Sequence, residues 1–353
     1  MTQRTWAALL AVPLLVALGV FTAFSPLPFV TYAPGPTINV LGDAGGKPII
    51  DVQGHPTYRD SGELRMTTVS VTQRNADLDL LTLMQRWFST TDGIYPFVVQ
   101  YGSSGSQQND AHEGQVEMKT SQHAAVAAAL TELGYHVTFL RIAGVDKGMP
   151  AEGKLQVGDV VRRIGTTKVT ATTDVGTLIA AVPTGGSVPI TVLRQGSPVT
   201  VRVTPTTKNG TRLVGVTLGV GLHPFPFKVK VNIDKTIGGP SAGLMFALSI
   251  YDTLTPGSLT SGGTVAGTGT INALGQVGEI GGIQQKIAGA DHDGAQLFLV
   301  PPANCPDAMT SHHGSMRLAR AATLKEAISE VTAWGKNHDA TLPQCTAADG
   351  TSS

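Results

Sequence analysis

The chain has little charge and almost no cysteine. Of 353 residues, 25 are basic and 25 acidic, only 14% in all are charged, and no basic cluster stands out. Nucleic acid is therefore not an expected partner, because phosphate backbones are held by concentrated positive charge. Cys305 and Cys345 are the only cysteines, too few for a zinc set without neighbouring ligands. His312 and His313 are adjacent, so on a helix they point apart, and no H-E-x-x-H motif occurs. No metal site is expected. A phosphate loop is missing too: the segment from Gly42 to Lys47 has the wrong spacing, and Pro48 stands where Ser or Thr belongs. No ATP requirement and no cofactor are expected. Glycine is plentiful, 42 residues. With so little charge, that composition fits a loop-rich sheet protein better than a helical bundle. The length allows two compact domains besides a terminal segment.

One long apolar run does occur. Residues 6–24, Trp6 to Phe24, carry no charge, and as a helix they would span about 28 Å, close to a bilayer core. Arg4 precedes the run, and the next charge is Asp43. The expectation is a single-pass anchor with its amino terminus in the cytoplasm and the body outside. A cleaved signal peptide is the rival reading. It is disfavoured because Ala23 is the only small residue in the stretch Phe21-Thr22-Ala23. Outside the cytoplasm, Cys305 and Cys345 are expected to pair. Closing a loop of about 40 residues would stabilise the fold by roughly 4 kcal/mol in the chain-entropy account.

Two residues carry the candidate chemistry. Gly238-Gly239-Pro240 precedes Ser241 and a run that is apolar on nearly every side, which predicts a tight turn leading into a buried helix. Free N–H groups at a helix start can stabilise an oxyanion beside such a serine. The plainer reading is that Ser241 only caps the helix. Downstream, Ile283, Lys286, Ile287 and Ala290 share one face of a helix starting near Gly282. Gln284 and Gln285 point elsewhere. A lysine within an apolar stripe loses hydration, which disfavours its ammonium form and suits it to take a proton from a serine. The plainer reading here is a snorkelling lysine with its head in water. Gly239 to Gly243 also satisfies G-x-S-x-G, the elbow of α/β-hydrolases, with Asp291, His292 and Asp293 as acid and base. No HGGG-type segment or series of βα units accompanies it.

Between these ends the chain alternates. Thr31–Thr37 reads as an extended linker fixed by two prolines, Gly62–Val71 as a strand and Asp77–Phe88 as an amphipathic helix. Residues 102–114 read as a polar loop, and Ser121–Leu133 as an Ala-rich helix ended by Gly134. From Tyr135 short strands follow, with one short helix at Asp174–Ala181 and a turn at Gln195-Gly196. This pattern suggests a small, partly open barrel.

The run from Lys147 to Val161, KGMPAEGKLQVGDVV, resembles the signature of a bacterial PDZ domain. Such domains bind extended peptides by strand addition, often holding a terminal carboxylate on free N–H groups. The turn at Gly134 and Tyr135 is the expected place for that loop. The segment from Lys235 to Leu244 resembles the nucleophile motif of Lon-type serine proteases. Gly267 to Lys286 resembles the strand, turn and helix that deliver that family's lysine. The resemblance implies Ser241 as nucleophile and Lys286 as general base, with Gly239 and Pro240 shaping the turn and Thr268 orienting the amine. Gly238 stands where ATP-dependent members usually carry an acid. An α+β organisation is thus expected: an anchor over 1–31, a segment 32–120 packing with the catalytic body, a PDZ-like unit over 121–205, a Lon-like domain over 206–340 and a tail over 341–353. The implied activity is an ATP-independent endopeptidase at the outer face of the cytoplasmic membrane, acting on peptides or unfolded segments, with subunit assembly into a homo-oligomer possible. A PDZ scaffold without catalysis is the alternative.

Overall fold

The computed structural model describes residues 3–59, 61–102 and 105–351; the side chains of residues 3–9, where the expected anchor begins, lie outside the described residues. The chain opens with helix α1 (Gln3–Phe24), strands β1 (Phe29–Asn39) and β2 (Glu63–Val71), helix α2 (Leu80–Trp87), strand β3 (Gly93–Pro96) and the long helix α3 (Gln107–Glu132). Next come β4 (Thr138–Val145), β5 (Val160–Ile164), helix α4 (Val175–Ala180), β6 (Val188–Arg194), β7 (Ser197–Val203) and β8 (Val216–Leu222). Helix α5 (Gly243–Leu254), β9 (Thr264–Gly267), helix α6 (Ile283–His292), β10 (Leu297–Val300), β11 (Arg317–Arg320) and helix α7 (Leu324–Lys336) complete the main elements.

Two sheets divide the strands. The first has the order β11-β10-β9-β2-β1-β3. Its β11, β10, β9 and β2 run parallel, and β1 joins antiparallel to both β2 and β3. Residues from the first hundred positions therefore lie beside residues 264–320 in one sheet. The second sheet is antiparallel, in the order β7-β6-β5-β4-β8. It has its own apolar core, with Ile142, Val161, Ile190, Val192 and Val203 inside. Gln195 and Gly196 both have positive φ, 51° and 83°, the backbone that a two-residue hairpin turn requires. The fold is mixed α/β.

Several sequence expectations change in the structure. The linker with two prolines is strand β1, in the interior of the first sheet. It tolerates Pro34 and Pro36 because its pairing with β3 ends at Tyr32 and its register with β2 shifts between Pro34 and Thr37, leaving the prolines at an open edge and a bulge. Residues 107–114 are helical rather than a loop. Ser106 accepts from the Asn109 N–H (3.2 Å), and Arg74 holds Asp110 at 2.7 Å, so the polar start of α3 is capped and paired. Met118, Ala125, Val126 and Ala128 to Leu130 of α3 join the core of the first sheet and not that of the second; the boundary set at 121 falls inside this helix. Strand β8 extends the second sheet to Leu222, past the boundary set at 205. Cys305 and Cys345 form a disulfide. Among the described residues, no helix is long and apolar enough to cross a membrane, and no group of three or more His, Cys, Asp or Glu is placed to hold a metal ion.

Helix α7 presents Leu324, Ala327, Glu330, Val331 and Trp334 to the core. Glu330 is 3% exposed, and neither of its carboxylate oxygens has a hydrogen-bond partner among the described residues. Loss of hydration, with Glu326 nearby adding repulsion and Arg320 opposing it, raises its pKa to about 8. The folded protein thus holds this proton where the unfolded chain releases it. The resulting stability is fully present below about pH 4.5 and is lost as pH rises through about 8. Thermal unfolding from pH 5 to 9 is expected to show Tm falling with pH, and Glu330→Gln should make that fall shallower. Identical slopes in the two proteins would contradict the assignment.

Candidate active site

Ser241 sits in the turn before α5. The N-cap of α5 is Ala242, with no side-chain cap, so the hydroxyl of Ser241 does not serve as the helix cap. Helix α3 builds the turn from one side. The Gly239 N–H donates to the Gly114 carbonyl (2.9 Å), and the Ser121 hydroxyl donates to the Pro240 carbonyl (2.9 Å). The Gln115 amide reaches the carbonyls of Lys235 and Ile237. Gly238 lies so close to α3 that a Cβ there would meet the Gly114 backbone at 3.2 Å. An acid at that position would have to displace the helix.

The loop after β9 holds the serine from the other side. The Ser241 carbonyl accepts from the Gly269 N–H (2.8 Å) and from the Thr268 hydroxyl (3.1 Å). The Leu244 N–H donates to the Gly269 carbonyl at 3.0 Å. Gly243 permits this clasp, since a Cβ on it would lie 2.9 Å from the Ile271 side chain and 2.8 Å from the Ser121 hydroxyl oxygen. The N–H groups of Ser241 and Ala242 have no hydrogen-bond partner among the described residues, leaving two donors free at the positive end of α5.

Lys286 arrives on α6, which starts at Gly282 in the left-handed conformation (φ 69°). The helix lies tightly on β1. At Gly289 a Cβ would meet the Gly35 carbonyl at 2.7 Å, and Asp293 at the far end accepts from the Thr37 N–H and hydroxyl at 2.9 and 2.7 Å. Lys286 is 2% exposed, so it does not snorkel. Its Nζ donates to the Thr268 Oγ1 at 3.3 Å. Burial lowers its pKa from 10.5 to about 8. Thr268, itself fully buried, therefore accepts from the amine while donating to the carbonyl of the serine.

Ser241 and Lys286 line one cavity of about 280 Å³, together with Met66 to Val69 from β2, Met118 from α3 and Thr236 to Gly239. No hydrogen bond joins the Ser241 hydroxyl to the amine among the described residues. In the sequence, Ser121 and Gly62–Val71 stand out only as parts of a helix and a strand, and neither they nor Met118 are marked for the site. Gln285 turns out to be buried, donating to the Thr91 carbonyl at 3.1 Å, because the segment after α2 folds over it.

Other expected site residues lie elsewhere. His292, with 88% of its side chain exposed, stands outside the cavity. Asp293 is committed to Thr37, whose hydrogen bonds hold its carboxyl below the usual range. These positions do not support a Ser–His–Asp arrangement. The N–H groups of Gly134 and Tyr135 close the end of α3, donating to the carbonyls of Thr131 and Leu130. They offer no free donors for a peptide carboxylate, a correction to the expected loop.

Residues 233–332 match the Lon protease (S16) C-terminal proteolytic domain. Residues 115–204 match the PDZ domain. Among curated proteins, the chain is 29% identical to Lon protease 2 of Bacillus subtilis (strain 168) over 114 residues, 32% of this chain and 20% of that protein. Against the Lon protease of Neorickettsia sennetsu it is 33% identical over 94 residues, 26% of this chain and 11% of that one. The Lon protease of Roseiflexus castenholzii is 39% identical over 69 residues, 20% of this chain and 8% of its own length. The chain thus spans 20% or less of these relatives. Among solved structures, the PDZ domain of the SdrC-like protein of Listeria monocytogenes aligns at 22% identity over 24% of this chain and 88% of that domain, with a TM-score of 0.21. The corresponding domain from Listeria innocua aligns at 20% identity over 25% of this chain and 96% of its own, also at 0.21. By these family matches, residues 233–332 are similar to a Lon-type proteolytic domain and residues 115–204 to a PDZ domain.

Burying Lys286 costs stability. The unfolded amine titrates near 10.5 and the folded one at about 8. The cost is full below pH 8, fades as pH rises toward 10.5, and amounts to about 3 kcal/mol at neutral pH. Lys286→Met is expected to raise the unfolding free energy from denaturant titration at pH 7 by an amount of that order, with the gain shrinking above pH 9. A destabilised or unchanged variant would contradict the desolvated amine.

Proposed function

We propose that the chain is an ATP-independent serine endopeptidase. Ser241 is its nucleophile, Lys286 its general base and Thr268 the group that orients the amine. The observation carrying this reading is the shared cavity, in which a desolvated lysine and the serine meet beside two free N–H groups. On binding, a substrate segment brings the serine hydroxyl within reach of the amine, a tightening common to sites seen without substrate. The amine takes the hydroxyl proton as Oγ attacks the scissile carbonyl, and the Ser241 and Ala242 N–H groups stabilise the oxyanion. The intermediate collapses as the proton passes to the leaving amine. Water then attacks the acyl-enzyme as Lys286 takes its proton, and Lys286 passes that proton to the departing Ser241 Oγ, so that the carboxylic acid leaves and the free hydroxyl and neutral amine are restored. Peptides or unfolded protein segments are the substrates, with the PDZ domain assisting their binding. Helix α1 anchors the chain in the cytoplasmic membrane, and the body lies outside the cytoplasm. Assembly into a homo-oligomer belongs to the same reading.

A fluorophosphonate probe tests the chemistry. Labelling is expected in the intact protein and in Ser197→Ala, to vanish in Ser241→Ala, and to persist in His292→Ala. Labelling that survives Ser241→Ala would overturn the assignment of the nucleophile.

The neutral amine is the reactive form, so the labelling rate should rise with pH and level off above about 8. At pH 7 it should be roughly a tenth of the plateau. Thr268→Val should lower the plateau by roughly tenfold, about the worth of a hydrogen bond to a charged group. A rate independent of pH between 6 and 9 would argue against a lysine base.

A further inference from the structure

Most of the exposed large apolar side chains among the described residues lie on α1 and on residues 80–99. Helix α2 is amphipathic but inverted: Leu83 is its only buried residue. Leu80, Leu81, Met84, Trp87 and Phe88, spaced as one helical stripe, face outward instead. Trp87 is 75% exposed and Phe88 78%. The short helix Phe97–Tyr101 adds Val98 and Val99 to the same surface, both more than half exposed.

Backbone hydrogen bonds hold these pieces to the root of α1. The Leu27 N–H donates to the Leu78 carbonyl (2.8 Å) and the Phe97 N–H to the Pro28 carbonyl (2.9 Å). In α1 itself, every large apolar side chain from Leu10 to Phe24 is more than half exposed. Leu14, Leu15 and Val16 are consecutive, so they point in three directions about 100° apart. A partner protein covers one stripe of a helix, whereas a helix that is apolar all round calls for a surrounding apolar medium. Helices α1 and α2 touch, so the outward stripe of α2 adjoins the all-round apolar surface of α1.

We propose that α2 and the Phe97–Tyr101 helix lie in the interfacial layer of a lipid bilayer beside α1, with Trp87 and Phe88 at headgroup depth. Aromatic side chains favour that layer, and a short helix with an exposed apolar face enters it lying flat. The contact reaches the candidate site: the Thr91 carbonyl, just past α2, accepts from Gln285, the neighbour of Lys286. The bilayer thus holds the segment that packs on the helix of the base. This inference rests on the membrane-anchored reading and adds to it a second, separable contact.

The three tryptophans of the chain, at positions 6, 87 and 334, allow a direct test. The full chain is reconstituted into phosphatidylcholine vesicles whose acyl chains carry bromine either near the headgroup or near the chain end, and tryptophan fluorescence is followed. Trp334 is 1% exposed in the protein core and serves as the unquenched reference. In Trp6→Phe, quenching of Trp87 is expected, stronger with the shallow bromines than with the deep ones. In Trp87→Phe, any quenching reports on Trp6 and hence on α1. Quenching in Trp87→Phe but none in Trp6→Phe sinks the docking of α2 and leaves the anchor standing. No quenching in either variant sinks both. If Trp87 is unquenched and Trp87→Glu turns a dimer into a monomer by sedimentation, a second copy covers the stripe and the inference is overturned.

Discussion

The site depends on keeping one amine out of water. Lys286 can be buried because Thr268 accepts its hydrogen bond while donating to the Ser241 carbonyl. A single hydroxyl therefore ties Lys286 to the turn that carries Ser241, and its place is fixed by the backbone bonds of residues 268 and 269 to Leu299 and Ser241. The arrangement needs a dry and closely packed frame, since an admitted water would solvate the ammonium and return its pKa toward the ordinary value. Packing is close where side chains are missing. Gly289 lies against Gly35, Gly238 against Gly114, and Gly243 against Ile271 and Ser121. These three contacts set the heights of α6, α3 and α5 around the cavity. A methyl group at any of them would shift a helix by tenths of an ångström or more, a movement that matters for groups that must meet within hydrogen-bond distance.

The topology explains why such a frame needs most of the chain. The parallel pairing of β9 with β2 brings residues 63–66 beside residues 264–267. The cavity wall contributed by Met66 to Val69 thus comes from a segment some two hundred residues away from the lysine that it faces. Helix α3 then crosses from the first core toward the second sheet. Its first half shapes the turn of the serine, and its end at Leu133 leads into β4. The region matched to the PDZ domain thus shares with the serine turn the helix that holds Pro240, although the cores of the two sheets are separate.

Local patterns were legible where periodicity and turn chemistry agreed. The stripe Ile283, Lys286, Ile287, Ala290 predicted a helix from Gly282 with an inward lysine, and α6 has that form. The Gln195-Gly196 turn and the strand ending at Val71 were equally plain. What the sequence hid was set by partners remote in the chain. Residues 107–114 look like a loop until Arg74 pairs with Asp110 and Ser106 caps the helix. Pro34 and Pro36 argue against an interior strand until the pairing with β3 is seen to stop at Tyr32. Gln285 looks free until the backbone of Thr91 folds over it. The reading of Gly134 and Tyr135 as a peptide-binding loop failed for a local reason: a helix ending in glycine uses those N–H groups to satisfy its own last carbonyls.

Burial alone does not identify a functional ionisable group, as a comparison within this molecule makes clear. Lys286 and Glu330 occupy comparable places, each a charged residue in the apolar stripe of a helix, α7 in the first core and α6 in a separate cluster with Phe298 and Val300, and each has its pKa moved by lost hydration to about 8. The two differ in what surrounds them. Glu330 has no hydrogen-bond partner among the described residues, so its neutral acid form is simply the less costly one to bury. Lys286 has a hydroxyl that orients it, a cavity on its free side and a serine on the wall of that cavity. The same desolvation that costs stability at both positions leaves at Lys286 a lone pair that is aimed and accessible. That directional difference, more than the shift in pKa, separates a base from a buried charge.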